Sequence, residues 1–512
     1  MNTKNQSREE RRRARTQRRV NAQTPESTVF LPQPRSNLPT YNIVNDEQLQ
    51  LIHDKSMQIL EEGGIAFYYD EAQEILRAHG VKVVDDIAYF DRELVMEYIA
   101  KAPSSFTWSA RNPQHDVVIG DNYVCFAPVV GPPFAVDRDR GRRESVHADM
   151  IDFLKLAHMS PYIHTSGAEI VVSSDIPIAY RHLELMYTHF QYTDKAMMGV
   201  YHTGETGVDS LNMMKIAVGE EAMRTKHYLH CIVNVSSPRR LDDRMLSLLI
   251  AYAQNNQIVN VTPFILSGAM GPVSILGTVA QLNAEVLAGI VLTQMVNPGN
   301  PSIYGSFQAV IDLKSGAPVF GAPESQLALY LSGQLARHYG LPFRAAGAYA
   351  SSKIIDAQAA YESVMSMMPS MFVQPHFILH AAGWLEAGLA AGYEKFVLDC
   401  ELLGMYATYL KGINWDEDEW AMDAVIHEVP PGGHHLGTDH TMRHFKTAFH
   451  RSDVFDYDSA ENWILNGSVD IYEKANQRYK QMLREYQQPA FDPAIDEALQ
   501  AYVEQRKPIL LR

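Results

Sequence analysis

The sequence predicts an α/β protein: a (β/α)8 barrel of the TIM type, with an N-terminal helical lead-in and a C-terminal helical extension. From about residue 120, short runs of β-branched and small apolar residues alternate with longer segments of helical periodicity. Eight such strand candidates within about 280 residues are typical of this barrel. An open doubly wound sheet is the alternative, but no Gly-x-Gly-x-x-Gly motif follows a strand candidate to hold a dinucleotide.

The elements follow from local patterns along the chain. Asn45 and Gln48 have the spacing of a capping box and begin the first helix, which Gly63-Gly64 ends. The lead-in continues with helices over 70–79 and 92–101 and a short strand near Val83. The predicted barrel strands are 123–129, 162–171, 196–201, 228–235, 257–266, 302–309, 342–349 and 376–383. The helices between them are 147–159, 176–190, 208–218, 239–253, 278–296, 323–338 and 355–371.

Four regions are predicted: a basic disordered tail and linker (1–40), the lead-in (41–120), the barrel (121–411) and the C-terminal extension (412–512). The tail contains seven arginines and two glutamates over residues 8–19, a local formal charge of +5. Such a segment is either a solvated tail or an arm that docks on an acidic surface. The helices of the extension are expected at a homo-oligomer interface.

Composition narrows the function classes. The formal charge of −16 disfavours nucleic acid as a partner of the folded body. Cys125, Cys231 and Cys400 lie far apart and form no metal-spaced pair, which indicates a reducing compartment. The polar N-terminus has no apolar signal segment, and the apolar run that begins at Val286 is short for a bilayer. A cytoplasmic protein without a membrane partner is expected.

The predicted strand ends are rich in aromatic, hydroxyl and small residues and poor in charges. A barrel places its chemistry at these carboxyl ends. No His-x-His pair is present for a binuclear metallohydrolase, no carboxylate pair is placed for a glycosidase, and Lys353 comes too late for a Schiff base. Ring faces and hydroxyls suit a diffuse positive charge, and a quaternary ammonium group is recognised by cation–π contacts.

Several ordered motifs add a family resemblance. They include "ILEEGGIAF", "KAPSSFTWSARNP", "VGPPFAVDRDRGRRE", "APESQLALYLSGQLARHYGLP", "SSKIIDAQAAYE" and "PPGGHHLGTDHTMRHF". With them the chain resembles the trimethylamine methyltransferase family, corrinoid-dependent enzymes that demethylate methylamines and betaines. The resemblance covers residues 41 to about 508 and implies a (β/α)8 fold.

The resemblance also implies a substrate class. Trimethylamine-specific members carry pyrrolysine in or beside the segment that here is "RAAGAYASSK", residues 344–353, and this residue activates a tertiary amine. Only standard residues stand there in this chain. A quaternary amine such as a betaine needs no activation, because its nitrogen is already cationic. The implied reaction transfers one N-methyl group to cobalt(I) of a corrinoid on a separate protein, since no Asp-x-His-x-x-Gly corrinoid motif is present.

Seven substrate-binding residues are predicted. His380 ends the eighth strand and matches a family histidine, and Tyr201, Phe307 and Tyr349 are candidate cage walls. If the substrate carries a carboxylate, we expect it at His380, Arg344 or Ser306, and Gly347 leaves room for the substrate. No catalytic residue is expected, because the nucleophile belongs to the partner. Asp356 matches a family position but is equally a helix cap.

The remaining signals leave alternatives open. His440 and His444, spaced i, i+4, could hold zinc with His434 or His435, although an amine leaving group has no use for it, and no metal is predicted. A tetrahydrofolate-linked methyltransferase is a further alternative, for which only Asn234 fits the pterin site. A non-catalytic betaine-binding protein is the other.

Overall fold

The computed structural model describes residues 31–511. The chain divides into two units, Met1–Pro32 and Gln33–Arg512. The first unit lies almost wholly outside the described residues. Both hypotheses for the arginine-rich segment 8–19 therefore concern residues outside the described part of the chain.

Six strands form a parallel sheet whose spatial order follows the chain. It runs from His230–Val235 through Ile258–Ser267, Ser302–Gly305 and Phe343–Ala345 to Phe377–Ile378. Phe377–Ile378 then pairs in parallel with Cys125–Phe126. The first of these strands in the sequence thus lies beside the last.

Two predicted strands are reduced to short pairings. Segments 162–171 and 196–201 share one parallel bridge, Thr165 to Ala196. The N–H of His164 donates to the carbonyl oxygen of Phe126 at 2.9 Å, which extends the sheet past Cys125–Phe126. Gly167 has φ of 73°, so the backbone leaves the extended conformation there and the pairing stays short. The α/β class is confirmed. Strands are present within six of the eight predicted segments, and the segment 302–309 is divided at Ser306 into Ser302–Gly305 and Phe307–Ile311.

All seven predicted helices between the strands are present. Their bounds are His147–Met159, Arg181–Tyr192, Gly204–Val218, Asp243–Gln254, Ile275–Val296, Pro323–His338 and Ala357–Phe372. Two helices outside the prediction, Glu220–Thr225 and Tyr393–Leu410, complete this part of the chain.

The lead-in contains strands as well as helices. Asn45 and Gln48 form the predicted capping box at the start of Asp46–Gln58. A π-helical turn, Ile59–Gly63, and the helices Asp70–Ala78 and Arg92–Ile99 follow. The predicted strand near Val83 is confirmed as Lys82–Val84, whereas alternation over three or four residues was too brief to indicate the other strands of the lead-in. The strands of the lead-in pair with one another and with Arg240–Leu241, and Trp108 also forms one parallel bridge with His227. These strands are Ile65–Phe67, Lys82–Val84, Ile87–Tyr89, Ser105–Trp108 and Val117–Gly120.

Helix Ile275–Val296 is long and apolar enough to cross a membrane by length and composition. The apolar run that begins at Val286 is the second half of this helix, which confirms the helix predicted over 278–296. In the structure 83% of its most apolar window is buried inside the protein. It is a core helix, and its Glu285 carboxylate accepts hydrogen bonds from Ser237 and the backbone of Arg239.

The C-terminal extension has two parts. Helices Ile471–Glu485 and Pro493–Leu510 bury residues such as Tyr479 and Leu499 against the body. The preceding segment, 413–465, contains the short helices Asp439–His444 and Ala460–Leu465 and exposes many large apolar side chains, Trp415 and Phe449 among them.

Candidate active site

The carboxyl ends of three neighbouring strands converge on one set of aromatic rings. Phe307 follows Ser302–Gly305, Tyr349 follows Phe343–Ala345, and His380 follows Phe377–Ile378. Because parallel strands end at the same edge of a sheet, residues distant in sequence meet there. The ring centroid of Phe307 lies 5.2 Å from that of Tyr349 and 5.8 Å from that of His380.

Two further rings complete this group. Trp384 lies 4.5 Å from His380 and 5.0 Å from Tyr349, measured between ring centroids. Phe320 lies 5.3 Å from Tyr349 and 5.4 Å from Trp384. We call these five residues, Phe307, Phe320, Tyr349, His380 and Trp384, the ring cluster. The sequence interpretation missed Phe320 and Trp384.

Both missed residues enter the cluster through small β-structures. Phe320 follows a hairpin, Phe307–Ile311 with Pro318–Val319, that returns the chain to the strand end. Trp384 begins the strand Trp384–Leu385 of a four-stranded sheet that also contains Phe134–Asp137. The "HAAGW" stretch, with an aromatic residue directly after a small-residue turn, was the available signal for Trp384.

Arg344 places a buried positive charge beside the ring cluster. Its side chain is 1% exposed, and its Cζ lies 4.8 Å from the ring centroid of Phe307. Nη1 donates to the carbonyl oxygen of Ser306 at 2.6 Å, whereas Nε has no partner. No carboxylate within residues 31–511 pairs with Arg344. A buried charge without a counter-ion is costly, so this position suits the negative group of a ligand.

His380 is held as a neutral imidazole. Burial, and secondarily the charge of Arg344, hold the pKa of His380 well below its usual range. Its Nδ1 accepts a hydrogen bond from the N–H of Val130 at 3.2 Å, which leaves Nε2 as the protonated nitrogen. The backbone of His380 has φ of 61°, a left-handed conformation that is uncommon outside glycine and recurs at ligand sites.

A buried ion pair supports two of the cluster-bearing loops. Lys395 and Asp399 pair at 2.5 Å and are both almost fully buried. Asp399 Oδ2 accepts the N–H of Gly383, next to Trp384, at 2.8 Å. Lys395 Nζ donates to the carbonyl oxygen of Ala348, next to Tyr349, at 3.4 Å.

Some of the other predicted site residues lie beside the ring cluster and others lie away from it. Gly347 packs against the backbone of His380, and Ser306 lines the cavity beside Phe307. Tyr201 lies elsewhere: its ring packs on Tyr252 at 6.0 Å, and its hydroxyl accepts the N–H of Ile232. No ring contact joins Tyr201 to the ring cluster within the described chain. Asp356 caps helix Ala357–Phe372 by accepting the N–H of Ala359.

The cavity between these residues is narrow. Its volume is about 10 Å³, with Ser306, Phe307, Phe320 and Tyr349 in its walls. This is room for about one water molecule. A trimethylammonium group therefore requires side chains of the ring cluster to move apart.

One histidine–carboxylate group with ligand spacing lies apart from the ring cluster, in the C-terminal extension. It consists of Asp418, His440 and His444, whose ligand atoms lie within 4.8 Å of one another. The third member is Asp418, not His434 or His435 as weighed from the sequence. Arg443 already pairs with Asp418 at 2.9 Å, and His444 donates to the same carboxylate, so the group is satisfied without an ion.

Comparison with known proteins identifies the family. The family model described as "Trimethylamine methyltransferase (MTTB)" matches residues 8–510. The chain belongs to this family. The membership predicted from the sequence motifs is thereby confirmed.

Named relatives of the family cover almost the whole chain. A glycine betaine methyltransferase of Desulfitobacterium hafniense is 41% identical over 92% of this chain and 98% of its own length. A proline betaine:corrinoid methyltransferase of Eubacterium limosum is 28% identical over 90% of this chain and 96% of its own length. The trimethylamine methyltransferase MttB of D. hafniense is 28% identical over 90% of this chain.

The fold is shared with a solved methyltransferase. The crystal structure of the Methanosarcina barkeri monomethylamine methyltransferase superposes with a TM-score of 0.51, at 9% identity over 88% of this chain and 90% of that one. This likeness concerns the fold alone.

Proposed function

We propose that this chain is a methyltransferase that removes one N-methyl group from a betaine and delivers it to a corrinoid on a separate protein. The observation that carries the proposal is the ring cluster with the buried Arg344 beside it, whose Nε has no hydrogen-bond partner. The named relatives that act on glycine betaine and proline betaine support the same substrate class.

The fold proposed for this activity is the closed (β/α)8 barrel. The chain-ordered parallel sheet, with Cys125–Phe126 beside Phe377–Ile378, supports closure. The pairings of His164 with Phe126 and of Thr165 with Ala196 continue the sheet towards His230–Val235. In such a barrel the ring cluster lies at the carboxyl-terminal mouth, where a partner protein has access.

The two ends of a betaine match two parts of the site. The faces of Phe307, Tyr349 and Trp384 attract a trimethylammonium group, with about 0.5–2 kcal/mol for each cation–π contact. Arg344 supplies the charge for the carboxylate, through the N–H of Nε. Neutral His380 adds an Nε2–H donor without adding positive charge near the ammonium group.

The reaction demands positioning rather than proton transfer from this chain. The corrinoid of the partner protein would supply the nucleophile, and loss of the methyl group would leave the substrate nitrogen as a neutral tertiary amine, so no proton has to be transferred. The ring cluster would hold the substrate so that one N-methyl group faces the mouth, and its apolar faces would exclude water. A partial cage suits this task, because cation–π attraction weakens as the positive charge leaves nitrogen.

The same site disfavours a tertiary amine. Trimethylamine has no carboxylate for Arg344, and the segment 344–353 contains no residue that converts it into a cationic adduct. The site therefore selects a substrate whose nitrogen is already quaternary.

A titration and a turnover assay test the proposal. Calorimetry with glycine betaine, proline betaine, carnitine, choline, trimethylamine and dimethylglycine would show binding of a carboxylate-bearing quaternary amine and none of trimethylamine. Methyl transfer to a reduced corrinoid protein then separates the enzyme from a non-catalytic betaine-binding protein. Binding of trimethylamine alone would contradict the proposal.

The setting proposed for the enzyme is a homo-oligomer in the cytoplasm. The three cysteines are free and buried, in keeping with a reducing compartment. Segment 413–465 exposes Trp415, Leu436, Phe449 and other large apolar side chains, which supports burial of this surface in an assembly. Size measurement by light scattering tests the assembly.

A further inference from the structure

Three polar side chains inside the parallel sheet have hydrogen-bonding atoms without partners. His230 lacks partners on both ring nitrogens, Asn260 lacks one on Nδ2, and Arg344 lacks one on Nε. His230 and Asn260 are 0% exposed and Arg344 is 1% exposed. The three residues stand on three strands, His230–Val235, Ile258–Ser267 and Phe343–Ala345.

These residues are neighbours across the sheet. Asn260 Oδ1 accepts a hydrogen bond from the hydroxyl of Thr262 at 2.8 Å. The Thr262 side chain packs against Gly305, and Gly305 is the register partner of Arg344 on the neighbouring strand. The ring of His230 lies 4.8 Å from that of Phe377, which is the register partner of Arg344 on its other side. The unpartnered atoms therefore line one interior region.

A buried hydrogen-bond donor without a partner is destabilising, and native proteins contain few such groups without a reason. Asn260 Nδ2 and Arg344 Nε are donors only. Burial, followed by the charge of Arg344, lowers the pKa of His230 to about 3, so this ring is neutral at pH 7 and offers one donor. A region with several donors and one fixed positive charge suits an anion.

We propose that His230, Asn260 and Arg344 form an interior subsite that binds the carboxylate of the substrate. The inference rests on the proposed function, because it assigns one end of the betaine. Arg344 connects this subsite to the ring cluster, since its guanidinium also lies against Phe307. His230 and Asn260 lie in the first half of their strands, whereas the residues of the ring cluster follow the strand ends. A bound betaine would therefore direct its carboxylate inward and its N-methyl groups towards the mouth.

A comparison of two ligands tests this subsite. Glycine betaine carries the carboxylate, and choline carries a hydroxyl in its place on the same trimethylammonium group. We expect His230→Phe and Asn260→Leu each to weaken glycine betaine binding at least tenfold in calorimetry and to change choline binding less than threefold. Such a selective loss would not follow from a general packing defect, which weakens both ligands.

The control is His227→Phe, three residues before His230 on the same segment, whose Nδ1 contacts the carbonyl oxygen of Asn256. This variant should preserve the ratio of the two affinities. Equal losses for both ligands in His230→Phe and Asn260→Leu, or no loss for either, would overturn the subsite. If the wild-type protein binds no quaternary amine, the proposed function itself fails, which is a distinct outcome.

Discussion

An added Cβ at Gly347 would lie 2.3 Å from the carbonyl oxygen of His380. The carbonyl oxygen of Leu379 is equally close. The N–H of Ala348 donates to the same His380 oxygen at 3.0 Å, so the two loops touch through their backbones. Glycine at 347 therefore sets the spacing between Tyr349 and His380, two members of the ring cluster.

Gly347→Ala is expected to push these loops apart. Overpacking of this kind costs about 1–3 kcal/mol, and here it also separates Tyr349 from His380. We expect a lower melting temperature and weaker glycine betaine binding. Gly437→Ala is the control, because nothing lies within 4 Å of a Cβ at that position. Unchanged binding in Gly347→Ala would show that the loop spacing is not important to the site.

Trp384→Leu should weaken binding of every quaternary amine. Loss of one cation–π wall is worth about 0.5–2 kcal/mol, or roughly 2- to 30-fold in the dissociation constant. Trp463→Leu, in the C-terminal extension, is the matched control. Tyr201→Phe tests the residue that the sequence placed in the cage: its remote packing on Tyr252 leads us to expect little change.

The Lys395–Asp399 pair should matter for both stability and ligand binding. Removal of one partner leaves a buried charge, so Lys395→Met is expected to cost about 3–5 kcal/mol in unfolding free energy. The double variant Lys395→Met with Asp399→Leu should recover much of this stability. It should still bind glycine betaine weakly, because the contacts to Gly383 and Ala348 remain absent. Recovery of wild-type affinity would show that the pair acts only on stability.

The affinity for glycine betaine should not depend on the protonation of a histidine. Burial holds the pKa of His380 far below 6.5, so the ring is neutral throughout the range from pH 6 to 8. The dissociation constant for glycine betaine, measured by calorimetry in that range, should therefore stay constant. A charged His380 would instead lose its proton as the pH rises through 6.5, and binding of the carboxylate would weaken there.

Acid should destabilise the fold through its buried histidines. Burial lowers the pKa of His164 and His230 to about 3 and that of His189 to about 4. Between pH 6.5 and these values the unfolded chain binds protons that the folded chain does not, so stability falls as the pH falls. Urea unfolding at pH 7 and pH 5 should show the loss, and it should be smaller in His230→Phe. An equal loss in that variant would contradict the assignment.

The alternation of strands and helices could be predicted from the sequence, because hydrophobic periodicity depends only on residues that are close together in the chain. The seven helices and six of the strands follow from it, as does the capping box at Asn45. The sequence also placed Phe307, Tyr349, His380 and Arg344 near strand ends, and these side chains lie together because parallel strands bring their carboxyl ends together. Their part in substrate binding stays a prediction.

Other features depend on contacts between distant segments. Tyr201, like His380, stands near the carboxyl end of a strand candidate, yet its ring packs on Tyr252. Position at a strand end does not determine the direction of a side chain. Phe320 and Trp384 reach the cluster through a hairpin and a small sheet that no periodicity indicates.

By itself the sequence determined the family, the α/β class and the absence of an HxH metal pair, since these depend on residue order and short-range pattern. Only the tertiary structure decided which rings form the cluster, which buried pair supports its loops and which interior donors lack partners. The reason is physical: these relationships join residues such as His230 and Phe377, whose contact depends on how the whole chain packs.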